Sequence, residues 1–177
     1  MGNKGWSTKV LAQAGVLLAM AQVLSYIKIY QMPQGGSVTL ASMAPLIIFA
    51  LLHGFKKGTV VAVIYGVLQM ILGGLFAIHP LSLLLDYVVG FGVIGIAGIF
   101  KDVKFGAVWG TIAACFGRFM ASFLSGFLVF ASYAPKGMNP VWYSLIYNGN
   151  YMIPETIVTT IVVVLVFPVL RKYTGEN

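Results

Sequence analysis

The stretch His79–Phe91, HPLSLLLDYVVGF, decides how this chain is read. It opens an apolar run that continues to Phe100 with a single charged residue, Asp86. A bilayer needs about 20 apolar residues of helix, and this run supplies them. A carboxylate inside such a span costs about 2.5–3.5 kcal/mol or more. It therefore faces a bundle interior or a wet cavity, and it requires a partner. Two kinds of partner fit the sequence: a neighbouring Tyr, a backbone group or snorkelling contact with water, or a small organic cation bound from outside. On the second reading, Asp86 marks a binding site.

The rest of the composition agrees with a membrane protein. The 177 residues are 59% hydrophobic and 8% charged, with a mean hydropathy of +0.94. Soluble domains carry roughly 25% charged residues. The net charge of +7 does not point to nucleic acid, because the basic residues sit at the ends of apolar runs rather than in one patch. One cysteine, Cys115, lies inside an apolar run and excludes a disulfide framework. The N-terminal MGNKGWSTKV leads into a run too long for a signal-peptide core, so it reads as a retained first helix.

Six apolar segments are expected, at about 8–27, 41–53, 57–74, 80–100, 105–132 and 146–170. They make one all-α membrane domain spanning residues 1–177, a six-transmembrane-helix bundle with an outward-facing ligand pocket. The second segment is short and holds Pro45, which suggests a broken or shallow helix. Lys4, Lys9, Lys56, Lys57, Lys101, Lys104, Arg171 and Lys172 fall on one side, against Lys28 and Lys136 on the other. The positive-inside rule then puts both termini in the cytoplasm and the loops at 28–40, 73–80 and 133–145 outside. Gly15 and Ala19 on the first segment, and Gly90, Gly92, Gly95 and Gly98 on the fourth, mark close helix packing. Within the chain or against a second membrane protein, small residues serve both.

Asp86, Arg118 and Glu155 are the ionisable residues deep in the spans. At 1.5 Å per residue Asp86 lies about 9 Å below the outer helix end, Arg118 about 22 Å and Glu155 about 18 Å. Similar depth and opposite sign suggest that Arg118 and Glu155 pair, leaving Asp86 for a ligand. Tyr143, Tyr147 and Tyr151 form one helical stripe, with Asn148, Tyr151 and Glu155 beside it; Phe130, Tyr133 and Trp142 flank the preceding loop. Tyrosines at a helix end also make an interfacial belt. Asn148, however, adds donors and an acceptor where lipid returns nothing, and ring faces attract cations. His53 and His79 lack companions at ligand spacing, so no metal is expected. No histidine base stands near the serines around Asp86, and no phosphate-binding glycine loop is present. The chain reads as neither a catalyst nor an ATPase.

Taken together, MPQGGSVTL (Met32–Leu40), His79–Pro80, LLDY (Leu84–Tyr87), SGFLVFASYAPKGMNP (Ser125–Pro140) and YSLIYNGNYMIPE (Tyr143–Glu155) are specific. On them the chain resembles the thiamine-specific substrate-binding (S) components of energy-coupling factor transporters, the ThiT family. The resemblance implies a multi-pass protein of the bacterial cell membrane that binds thiamine from outside. It implies a membrane-embedded coupling subunit and two ATPase subunits as partners, ATP being used by those subunits and no cofactor by this chain. It implies that Asp86 meets the cationic ligand beside Tyr87, and that Phe130, Tyr143 and Asn148 line the pocket; Tyr133 and Tyr151 add hydroxyls and faces. The loop from Gln31 to Thr39 would act as a lid, with Gly35 and Gly36 as flexible points. Gly15 and Ala19 would meet the coupling subunit. Three positions depart from members of that family: some carry a glutamate at Asp86, some a tryptophan at Phe130, and many a pocket histidine at Ser122. Two other readings stand: an S component for another thiamine-related precursor, or a membrane enzyme or proton-coupled carrier using Asp86, Arg118 and Glu155 as a relay.

Overall fold

The computed structural model describes residues 5–75 and 78–174. Lys4, and residues 76 and 77 of the expected outer loop, lie outside the described residues. Helices α1 (Thr8–Tyr26), α3 (Phe55–Leu72), α4 (Pro80–Phe100), α5 (Gly106–Leu128) and α6 (Pro140–Thr174) are each long and apolar enough to cross a membrane. A shorter apolar helix, α2 (Ala44–His53), stands among them.

Pro45 does not break α2. It occupies the first turn, where its missing N–H costs nothing. Every residue from Ala44 to Leu52 is buried, which is the fate of a helix that is hydrophobic all round. The corner at Gly54 (φ 86°) then turns the chain directly into α3.

The other helices gather around α2. On α1, Val10, Ala14, Leu17 and Ala21 form a buried stripe, while Leu11, Val16, Met20 and Val23 point outward. Close backbone approach fixes α4. A Cβ on Gly95 would strike Thr59, and one on Gly98 would strike the Gly54–Phe55 peptide. The small residues of the fourth segment are thus used inside the bundle. Gly15 differs: a Cβ there would meet nothing within 4 Å, and Ala19 is exposed beside it on the same face of α1.

α6 begins six residues earlier than the sequence suggests, with Pro140 at its start. It runs through Pro154 and Pro168 without stopping. At one end of the bundle the Lys9 ammonium donates to the Thr174 carbonyl (2.7 Å), and Arg171 faces Asp102 (3.6 Å). The basic ends of α1, α4 and α6 therefore meet on one side. On the opposite side, residues 28–39 fold into an antiparallel hairpin, β1 (Lys28–Gln31) and β2 (Ser37–Thr39), rather than an irregular loop. Ala41, held in the left-handed region at φ 56°, turns β2 into α2.

Candidate functional site

A cavity of about 460 Å³ opens beneath the hairpin, between α3, α4, α5 and α6. It lies in the size range of small-molecule sites. Asp86, Tyr87, Ser122, Phe130, Tyr133, Tyr143, Asn148 and Tyr151, all named from the sequence, line it. Gly15 and Ala19 are elsewhere, on the outer face of α1.

Asp86 enters from a locally widened stretch of α4, where Leu83–Val89 is π-helical. The Gly90 N–H reaches back to the carbonyls of Leu85 and Tyr87. Such bulges shift the aim of side chains and recur at functional sites. The Ser125 hydroxyl, from α5, donates to Asp86 Oδ2 at 2.5 Å. Among the described residues no cation forms an ion pair with Asp86. The carboxylate therefore has a neutral partner and a wall on the cavity. Tyr87, beside it, donates to the Gly74 carbonyl (3.3 Å), and its own carbonyl packs against Gly66 of α3.

The expected pair between Arg118 and Glu155 does not form. Glu155 instead accepts the Thr39 N–H (2.6 Å) and the Thr39 hydroxyl (2.7 Å), tying β2 to the middle of α6. Arg118 lies over the Phe91 ring, 3.7 Å from its centroid. Similar depth in the membrane did not mean contact. The backbone N–H at the end of β2 needed an acceptor, and the carboxylate on the adjoining helix met it.

Asn148 lines the cavity, yet most of its amide is used within the protein. Nδ2 donates to the Ser144 carbonyl (2.9 Å) and lies 3.4 Å from the Ser122 carbonyl, while Oδ1 accepts from the Tyr151 hydroxyl (2.7 Å). Asn148 joins α6 to α5 and orients Tyr151 toward the cavity. The tyrosine stripe is continuous, with ring centroids 5.9 Å apart for Tyr143–Tyr147 and 6.1 Å for Tyr147–Tyr151. Phe130 and Tyr133 form a second ring pair at 6.0 Å. Trp142 points outward, 61% exposed, and takes no part in the lining.

The hairpin is sewn to this stripe. The Tyr147 hydroxyl accepts the N–H groups of Gln34 (3.0 Å) and Gly36 (3.3 Å). Gly35 carries the positive φ that the turn requires (91°). Gly36 is not a flexible point: a Cβ there would lie 2.5 Å from the Tyr151 ring, so the tip rests directly on α6.

Sequence reading missed Tyr65 and Gln69 of α3, which also line the cavity. Gln69 Nε2 donates to the Tyr65 hydroxyl (2.6 Å) and lies 3.0 Å from both the Gln22 amide oxygen and the Ser25 hydroxyl, which share its second N–H. Two polar residues four apart in the apolar second half of the helix were the available signal. Ser125, one helical turn from Ser122, carried the same kind of signal.

Comparison with known proteins agrees with this architecture. A thiamine transporter ThiT of Bacillus subtilis (strain 168) is 39% identical over 173 residues, covering 89% of each chain. A thiamine transporter ThiT of Lacticaseibacillus paracasei (strain ATCC 334) is 28% identical over 174 residues, covering 87% of this chain and 84% of that one. A solved structure of ThiT from Listeria monocytogenes has the same fold, with a TM-score of 0.82 at 21% identity, over 93% of this chain and 96% of that one. With five helices among the described residues long and apolar enough to span a bilayer, and with these relatives, the chain is a multi-pass bacterial membrane protein. The family model for the thiamine transporter protein (Thia_YuaJ) matches residues 11–174, nearly the whole chain, which therefore belongs to that family.

Proposed function

We propose that this chain is the thiamine-binding membrane subunit, or S component, of an energy-coupling factor importer. The observation that carries the reading is Asp86: a carboxylate bonded to a neutral hydroxyl, on the wall of a ring-lined cavity beneath the hairpin. A thiazolium cation would give this carboxylate the direct ion pair that no described residue forms with it. Ring faces attract such a cation by up to ~2 kcal/mol each once water is excluded. In this reading Tyr87, Phe130, Tyr133 and Tyr143 supply faces and hydroxyls. Tyr151, held by Asn148, forms part of the wall, and Ser122 leaves room where relatives carry a histidine.

Both termini are cytoplasmic and the hairpin is external, with α2 as a sixth, half-length pass. A coupling transmembrane subunit engages α1 at Gly15 and Ala19, and two ATPases supply the energy. The chain itself carries ligand and does no chemistry on it, with no cofactor of its own.

The test is an intrinsic-fluorescence titration of the purified protein, which has three Trp and nine Tyr to report a ligand stacked among them. Thiamine is expected to saturate the signal at concentrations well below those needed for the neutral hydroxymethylpyrimidine fragment. Equal affinity for both would remove charge from the recognition. In vesicles, uptake is expected to need the ATPases. Uptake by the chain alone, driven by a pH gradient, would make it a proton-coupled carrier instead.

A further inference from the structure

Arg118 stands on α5 one turn below Ser122 and two turns below Ser125, and it lines the same cavity. Its guanidinium packs over Phe91, and Phe91 is held in turn by an edge-on contact with Tyr65 (4.9 Å, 80°). Stacking occupies a face of the guanidinium and leaves the N–H edge to find partners elsewhere. The two carboxylates of the cavity do not supply them: Asp86 is engaged by Ser125, and Glu155 by Thr39. Arg118 Nη1 is buried and has no hydrogen-bond partner among the described residues.

A guanidinium keeps its charge at physiological pH and offers five donors in a rigid fork. Buried donors are almost always satisfied in native proteins. In a site for cations the group is also a liability, since it repels the ligand's charge. Both difficulties disappear if the ligand brings an acceptor to this end of the cavity while its cation faces Asp86.

We propose, building on the thiamine reading, that Arg118 is a specificity-determining residue that donates to a hydrogen-bond acceptor on the bound molecule. The ligand class is then two-poled: an aromatic cation that also carries a ring nitrogen, a hydroxyl oxygen or a phosphate oxygen. Aromatic cations without such an acceptor bind poorly. Ser122, one turn above, makes no hydrogen bond to the guanidinium among the described residues.

The experiment titrates the purified full-length protein and its Arg118→Gln and Arg118→Lys variants with four ligands. These are thiamine, thiamine monophosphate, the hydroxymethylpyrimidine fragment and the hydroxyethylthiazole fragment. Arg118→Gln is expected to weaken thiamine at least tenfold, with the loss carried by one fragment and not the other. Loss on the pyrimidine fragment assigns the acceptor to a ring nitrogen, and loss on the thiazole fragment to the hydroxyl. A greater loss for the monophosphate than for thiamine assigns the phosphate. Arg118→Lys keeps the charge without the fork and should give an intermediate loss in the same pattern. Should Arg118→Gln fail to fold, Arg118→Lys carries the same comparison. An equal loss for all four ligands, or none, overturns the proposal and makes Arg118 a packing residue. Failure of the unaltered protein to bind thiamine would instead overturn the parent reading. A normal thiamine affinity that falls in Asp86→Asn but not in the Arg118 variants would sink this inference alone.

Discussion

The Tyr147 hydroxyl accepts the backbone N–H of Gln34 at 3.0 Å, joining the tip of the hairpin to the helix that forms one wall of the cavity. The same oxygen takes the Gly36 N–H at 3.3 Å. One side chain thus holds two donors of the turn. Tyr147→Phe keeps the ring and removes the acceptor. At about 1 kcal/mol for a typical net hydrogen bond, the hairpin should open several-fold more often. Stopped-flow fluorescence is expected to show thiamine leaving about five- to tenfold faster. An unchanged off-rate would mean that the hairpin does not gate the cavity.

Asp86→Asn removes the charge with little change of shape. Thiamine affinity is expected to fall tenfold or more in equilibrium titration, since about 1.4 kcal/mol corresponds to each factor of ten. Ser125→Ala, which leaves the carboxylate but removes its hydroxyl donor, should cost less. Affinity untouched by Asp86→Asn would exclude this residue from the site.

Glu155 holds the end of the hairpin through two bonds from Thr39. Glu155→Leu strands a buried backbone N–H, at a cost of about 1–3 kcal/mol. The thermal midpoint should drop by several degrees, and hydrogen exchange should quicken across residues 37–42. Exchange confined to its original rate there would show that Thr39 finds another acceptor.

The two sets of small residues should respond oppositely. Gly95→Ala puts a Cβ onto the Thr59 backbone and is expected to reduce the yield of folded protein. Gly15→Trp meets open space within the chain. It should spare thiamine binding in purified protein and block uptake in cells carrying the ATPases. Lost binding in Gly15→Trp would make that face part of the bundle's own packing.

The helices were legible because six apolar runs separated by glycine, proline and lysine leave few alternatives. Their ends were less so. The last helix, expected over about 146–170, begins at Pro140 and runs unbroken past Pro154 and Pro168. The hairpin escaped notice because strands of four and three residues carry almost no alternation, and much of its support comes from Tyr147 and Glu155, more than a hundred residues away. The cavity residues were found where a charge or a tyrosine stripe marked them. The partners of Arg118 and Glu155 were not, because sign and depth do not specify which helix faces which. The roles of Asn148 and Gly36 followed the same pattern: their neighbourhood was readable, and their hydrogen bonds and contacts were not.

The shortness of α2 has a structural consequence. Ten residues of helix reach only about 15 Å, half of a ~30 Å hydrocarbon layer. The residues just before it, Ser42 and Met43, contribute to the cavity lining. A guest molecule there would occupy the column that a full-length central helix would otherwise fill. The vitamin would then serve as the missing upper half of a pillar. Occupancy and the cohesion of the whole assembly would rise and fall together.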